Sequence, residues 1–396
     1  MKILIANPGS TSYKCKLMDM DSGKSLFHAA VERIGDSEGI FRNGFSGETE
    51  RETFIPIPNY QTAIKLTLDS LAKKIDFRDV AAVGFKVVLA KGISGCVELT
   101  DDVLKAMREY LPLAPVHNQI YLTAIQTFKE LNQDVPLIGL FETSFHSQIP
   151  AEAFLYGIPF EFFEKYGIRK YGFHGASHRF ISEYVKEKYA NQTKNLRIIS
   201  CHLGGSSSVC AIKNGISVDT SMGMSPQSGL LNATRVGDLD SFGLLYLMEK
   251  ENLTIEEARK MLISNGGVKG ISGISGDFRD IEKAMLEGND RAKFAFDTFA
   301  YYVKRYIGEY LAILNGADFI VFTGGLGQNS PTMRSRILSG MENLGIVLNS
   351  EKNEAITSEG VISDKTSRIK ILAVPTNEEL IVARSVKEFL ENRSRQ

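Results

Sequence analysis

At 396 residues the chain exceeds the size at which one hydrophobic core stops growing, so two domains are expected. Hydrophobic residues make up 43% and charged residues 23%, and 46 basic against 47 acidic side chains leave a net charge of −1, which argues against a nucleic-acid or membrane-surface role. The four cysteines, Cys15, Cys96, Cys201 and Cys210, have no C-x-x-C or ligand spacing, so neither a zinc site nor a disulfide framework is supported, a cytoplasmic setting fits best, and no apolar run suits a signal peptide or membrane span.

The chain opens with KILIANPGSTSYKCKLMDMDSGK, which reads as strand, small polar turn, strand and a hairpin turn at Asp21 to Gly23. Residues 25 to 58 carry short alternating segments. Over residues 60 to 74, Ile64, Leu68 and Leu71 share one helical face, and AAVGFKVV follows as a buried strand. That strand-helix-strand alternation marks an α/β domain. A helix near Asp101 to Leu111 is expected to stop at Pro115, with a second from about 119 to 131 before the strand PLIGLF. FETSFHSQIPAEA is the expected domain crossing. In KYGFHGASHRF, His174 and His178 stand four apart, a spacing that could hold a metal, but no third ligand follows at a zincin interval. Gly172 and Gly175 place His174 in a turn, and Ser177 could cap the helix that follows.

The central stretch RIISCHLGGSSSVCAIKNGISVDTSMG repeats the opening arrangement: an apolar run to His202, a turn through Gly204 and Gly205, a second run, and an Asn214-Gly215 hairpin. Gly9-Ser10-Thr11-Ser12 aligns with Gly205-Ser206-Ser207-Ser208, which indicates a long-range duplication. Each small-residue turn can present bare N–H groups and hydroxyls to a phosphate. Further on, SPQSGLLNATRVGDLD places Arg235 among small residues, and GVKGISGISGDFRD leads into a helix with Asp277 and Arg279 at its start. Residues 293 to 314 repeat apolar side chains at helical spacing up to Asn315-Gly316. ADFIVFTGGLGQNSPTMRSRI reads as strand, glycine turn and helix, and in PTNEEL the residues Thr376 and Glu379 have capping-box spacing.

NPGSTSYK, YGFHGASH, HLGGSSS, VDTSMG, TRVGD, SGDFRD, FTGGLGQNS and PTNEEL stand in the order and spacing of the acetate kinase family, and the chain resembles that family from residue 2 to about 390. The resemblance implies a duplicated ribonuclease H-like α/β fold of the actin, Hsp70 and sugar kinase type, with mixed sheets flanked by helices and the active site in the interdomain cleft. Expected domains are 1–146 plus 381–396, and 147–380. It further implies Mg²⁺ or Mn²⁺, ATP or ADP as co-substrate, a small carboxylate as the second partner, and a homodimer. Carried over by position, Asn7 and Glu378 serve the metal; Glu142, His174 and Arg235 are catalytic; Lys86, Val88, His117, Phe173 and Pro226 serve the acyl site. Nucleotide contacts fall on Lys14, His202, Leu203, Gly204, Gly205, Ser206, Asp277, Phe278, Arg279, Gly325, Leu326, Gly327, Gln328 and Asn329. A phosphoryl group in transfer needs donors for its equatorial oxygens and a hard cation across the β and γ phosphates.

Six positions depart from the family pattern. Phe85-Lys86 stands for His-Arg and Leu89 for the second His of HRVVHGG; Glu142 stands for Asp, Gly205 for the Asn of HLGNG, and Gln328 for the Glu of GxGEN. Pro8 looks more like the butyrate kinase branch. Three functions therefore remain in play: an ATP:carboxylate phosphotransferase, a kinase of the same fold with another acceptor or donor, and a nucleotide-binding regulator without turnover.

Overall fold

The computed structural model describes residues 1–131, 134–189 and 194–395. The chain divides into two compact units, one of residues 1–144 and 377–396, the other of residues 145–376. Unit 1 holds strands β1 (Lys2–Pro8), β2 (Ser12–Asp19), β3 (Lys24–Glu32), β4 (Gly39–Phe45), β5 (Arg51–Ile55), β6 (Val80–Val87), β7 (Cys96–Glu98) and β8 (Leu137–Phe141) in the order β5-β4-β3-β2-β1-β6-β8-β7. Unit 2 holds β9 (Arg197–His202), β10 (Ser208–Lys213), β11 (Ile216–Thr220), β12 (Phe319–Thr323), β13 (Gly360–Val361) and β14 (Lys370–Ala373) in the order β11-β10-β9-β12-β14-β13.

The central part of each sheet follows one plan. β1 is antiparallel to β2 and parallel to β6, which is parallel to β8; β9 is antiparallel to β10 and parallel to β12, which is parallel to β14. This is the expected duplicated ribonuclease H-like core. Both hairpins read from sequence are present, and Asn214 and Gly215 take the left-handed backbone that a tight primed turn requires. The parallel strands are apolar along their length because helices cover both faces.

In unit 2 the helix Asp290–Ile313 buries Phe296, Phe299, Val303, Ile307 and Tyr310 in one cluster with Ile199, Val209, Ala211, Ile320 and Phe322 of the sheet. Each large apolar side chain so removed from water contributes about 2 kcal/mol before entropy is charged against it. Cys201 belongs to this layer and Cys210 to a second cluster with Ile181 and Val185, both as small buried residues with free thiols. The helix Glu378–Arg393, last in sequence, packs on β1, β6 and β8 in unit 1.

Four local expectations are corrected. Pro115 does not end a helix: the helix Asp101–Glu109 has stopped before it, and Pro115 opens Pro115–Leu131, where its missing N–H costs nothing. The final helix is capped by Asn377, whose side chain accepts from Leu380 N, while Glu379 pairs with Lys16. Ser177 lies inside the helix Gly175–Tyr189 and bonds His202. The glycine turn after β12 is itself a helical turn, Gly324–Asn329.

Candidate active site

The hairpin turn between β9 and β10 is fixed by its own small side chains. Gly204 N donates to Ser207 Oγ at 3.0 Å, Ser207 Oγ donates to Gly204 O at 2.9 Å, and Ser207 N donates to the buried Asn232 Oδ1 at 2.6 Å. Ala233 N bonds Gly205 O, so the Arg235 loop is tied to the turn. Gly267 lies against the same loop at φ +62, where a Cβ would stand 2.1 Å from Asn232 O. Ser206 therefore projects toward Arg235 and His174.

Ser206 Oγ accepts from Arg235 Nη2 and lies 3.0 Å from His174 Nε2. His174 Nδ1 is 2.8 Å from Ser208 Oγ, which is also 2.8 Å from Nε2 of the buried His178; His178 Nδ1 meets Ser200 Oγ at 2.9 Å. The His174 ring stacks on His202 with centroids 4.2 Å apart. His174 and His178 thus hydrogen-bond serine hydroxyls. Arg235 is only 8% exposed, and burial lowers it to about 10, so it stays charged at neutral pH. No carboxylate among the described residues pairs with it. A buried guanidinium beside imidazoles, without an acid, is a place for an anion.

Beside this cluster, within unit 2, a cleft of about 710 Å³ is lined by Gly204, Gly205, Ala233, Thr234, Gly276, Asp277, Phe278, Arg279, Glu282, Gly325, Leu326, Asn329 and Ser330. The size suits a nucleotide. Asp277 caps the helix Phe278–Leu286 and forks with Arg279, whose guanidinium holds the carboxyl down at about 2. Gly324, at φ +77, lets the turn approach β9: a Cβ there would stand 2.5 Å from Leu203 O.

Of the nucleotide contacts expected in unit 2, the cleft gathers Gly204, Gly205, Asp277, Phe278, Arg279, Gly325, Leu326 and Asn329. It does not gather the others. His202 stacks on His174, Leu203 is core, and Ser206 belongs to the Arg235 cluster. Gly327 is buried, and Gln328 reaches Ser358 O instead. The carbonyls of Gly327 and Gln328 accept from the buried Arg334 at 2.9 and 2.6 Å, and Arg334 also holds Asn353. Arg334 pins the glycine turn from behind, a role that sequence reading missed because it looked like one more helical cation. The roles of Asn232, His178 and Ser208 were missed as well, since only the packing of a loop and a helix against the β9–β10 pair brings them beside Arg235 and His174.

Unit 1 carries a second cluster. Lys86, near the end of β6, sits 3.0 Å from Glu142 Oε1 and 2.5 Å from Glu378 Oε2. Burial alone would lower the Lys86 ammonium, but Glu142 and Glu378 hold it well above its ordinary range. Asn7, near the end of β1, accepts from Tyr121 Oη at 3.2 Å and pairs in register with Lys14, which is exposed on β2. His117 is exposed in the first turn of its helix. Val88 and Leu89 are buried in unit 1, and Phe173 and Pro226 in unit 2. Among the described residues no cluster of three His, Cys, Asp or Glu side chains could hold a metal. The hard oxygens of Asn7 and Glu378 still suit Mg²⁺, which keeps several waters and takes few protein ligands.

Comparison with known proteins places these two clusters in context. The model of the acetokinase family matches residues 2–384. The acetate kinase of Thermoanaerobacterium thermosaccharolyticum is 43% identical over 99% of this chain and 100% of its own, and that of Desulfitobacterium hafniense is 42% identical over 99% and 100%. Among solved structures, Porphyromonas gingivalis acetate kinase superposes with a TM-score of 0.87 at 35% identity, covering 98% of this chain and 99% of that one. A propionate kinase from Francisella tularensis superposes with a TM-score of 0.89 at 31% identity, covering 97% and 98%. On a match that runs almost from end to end, the chain belongs to the acetokinase family.

Proposed function

We propose that this protein transfers the γ-phosphoryl group of ATP reversibly to acetate, giving acetyl phosphate and ADP, and that propionate is a second acceptor. The observation that carries this is the buried Arg235 guanidinium, without a carboxylate partner among the described residues and joined through Ser206 to His174. Such donors act on charge that grows on the phosphoryl oxygens during transfer. The adjoining glycine-lined cleft holds the nucleotide, Asp277 and Arg279 sitting at its helix start. Propionate is included because a propionate kinase is among the structural relatives.

In unit 1, Lys86 bridges the Glu142 and Glu378 carboxylates, offsetting their mutual repulsion and fixing both. Asn7 and Glu378 would hold Mg²⁺, which when bound neutralises the β and γ phosphates. Glu142 orients the acceptor carboxylate through Lys86, and Tyr121 keeps the Asn7 amide oriented. We place the enzyme in the cytoplasm as a homodimer. The dimer reading is supported by the apolar face of the helix Ser241–Glu251, where Phe242, Leu245 and Tyr246 are 80%, 54% and 61% exposed.

A hydroxamate assay with ATP and Mg²⁺ across formate, acetate, propionate and butyrate tests the assignment. Acetate should give the highest kcat/KM, with propionate next. Nucleotide binding without any acyl phosphate from these four acids would overturn the enzyme reading and favour a regulator. A clear optimum at butyrate would move the acceptor.

A further inference from the structure

His146 lies in the segment after β8 and makes no hydrogen bond to either cluster described above, although its ring meets that of His178 edge-on at 5.8 Å; it is completely buried and makes two hydrogen bonds of its own. Nε2 is 2.9 Å from the carbonyl oxygen of Phe173, and Nδ1 is 2.8 Å from Ser217 Oγ. A carbonyl can only accept, so the proton is on Nε2, and Nδ1 receives the Ser217 hydroxyl. Burial pulls the imidazole down to about 4, which leaves it neutral in this one tautomer across the working range.

Phe173 immediately precedes His174, and the backbone there is unusual. Gly172 has φ +76 and His174 has φ +57, so two left-handed residues flank the Phe173 peptide. For a histidine such a conformation is unfavourable and persists only where its surroundings hold it. The N–H groups of Tyr171 and Gly172 are held by Gly223 O. On the other side stands His146, packed so closely beneath Gly172 that a Cβ there would be 2.7 Å from its ring. The left-handed turn aims the His174 ring between Ser206 and Ser208.

We propose that His146 is a positioning residue for the phosphoryl-transfer step: its Nε2–H clamps the Phe173 carbonyl and thereby holds His174 in the left-handed conformation that points its ring at Ser206 and Arg235. This rests on the assignment of His174 to catalysis made above. His146→Leu removes the donor while keeping much of the volume. His146→Gln returns an amide N–H at nearly the reach of Nε2. Because a misplacement of about 1 Å near the chemistry can cost on the order of a hundredfold, His146→Leu should lower kcat by about tenfold to a hundredfold. The dissociation constant for ADP, measured by calorimetry, should move by less than about threefold, since the nucleotide cleft is built from other residues.

The decisive experiment is a cycle with His174→Ala in the full-length protein. His146→Leu should cost nothing further in kcat once His174 is gone, and His146→Gln should recover most of the activity in the His174 background. Equal losses from His146→Leu with and without His174 would show a merely structural role and overturn the proposal. A His174→Ala variant with native kcat would overturn the catalytic assignment of His174 itself, a separate and distinguishable failure. Should His146→Leu not fold, Ser217→Ala provides the second route, since it removes the hydroxyl that donates to Nδ1. It should lower kcat severalfold with His174 present and not at all in its absence; an effect in both backgrounds would count against the clamp.

Discussion

The exchange of Lys86 and Glu142 for the family's Arg and Asp makes a quantitative prediction. Arginine reaches about one bond further than lysine, and aspartate about one bond less than glutamate, so both combinations span roughly the same gap. Lys86 Nζ and Glu142 Oε1 are 3.0 Å apart, with the side chains 19% and 6% exposed, and there is little room to repack. In Glu142→Asp the separation opens to roughly 4.5 Å, which at an effective dielectric constant of about 20 removes about 2 kcal/mol of attraction. Transmitted to the barrier, that is about twentyfold in rate. Lys86→Arg alone forces extra atoms between two carboxylates and costs about 1–3 kcal/mol as overpacking. The double variant restores the span. It should lie near the native protein in both kcat/KM for acetate and thermal stability, giving a coupling energy of about 3–5 kcal/mol, the sum of the two single losses. Hydroxamate kinetics and calorimetric melting of the four proteins measure it. A coupling below about 0.5 kcal/mol, or a Lys86→Arg single variant that outperforms the native enzyme, would refute the compensation.

Arg235→Ala and His174→Ala should each lower kcat by about a hundredfold or more while leaving ADP affinity within about threefold, because both act on charge present only in transfer; steady-state kinetics beside calorimetry checks both numbers. Gly324→Ala introduces a Cβ 2.5 Å from Leu203 O at a backbone angle of φ +77, so it should destabilise by about 1–3 kcal/mol and weaken nucleotide binding, whereas Gly205→Ala, whose Cβ meets nothing within 4 Å, should do neither. Arg334→Met should weaken ATP binding without touching the chemistry, since the glycine turn loses the guanidinium behind Gly327 O and Gln328 O; a change in kcat with unaltered nucleotide affinity would count against that role. For pH, Lys86 is held above its unfolded value, so its stabilising contribution is complete below the ordinary lysine range and is lost as pH rises past the raised value. Stability measured from pH 8 to 12 should therefore fall less steeply in Lys86→Met than in the native protein.

Much of the fold was legible because its signals are local. The Asn214-Gly215 pair announces a hairpin through its own backbone preference, and the stripe from Phe296 to Leu314 announces a buried helix through its period. The site was legible only as a roll of motifs. Nothing local in the sequence says that Ser208 stands between two histidines, because that follows from pairing β10 beside β9 and from a helix laid across them. His146 stood in a stretch without periodicity, and its partner is a main-chain carbonyl that has no residue-type signature. Pro115 misled for the opposite reason: a strong local signal fits both the stop of one helix and the start of the next, and only the early end of Asp101–Glu109 decides between them.

The departures from the family pattern can be sorted by what each side chain touches. Gly205 lines the glycine-walled cleft with open space at its Cβ position, so having glycine there leaves the wall undeformed. Gln328 reaches away toward Ser358 O, and its backbone carbonyl, which any residue supplies, is what Arg334 uses. Neither change bears on the Arg235–Ser206–His174 cluster. Leu89 is fully buried and its carbonyl accepts from Asn118 Nδ2 at 2.9 Å, so at this position the side chain serves packing and the backbone does the bonding. Lys86 and Glu142 differ in kind, since each changed residue is the other's direct partner and both meet through an ion pair shared with Glu378. A single damaging substitution would leave a buried charge unpaired, at a cost of several kcal/mol. Two changes that together keep the span and the charge are what a working site would tolerate, and this favours turnover over a binding protein that has let its chemistry decay.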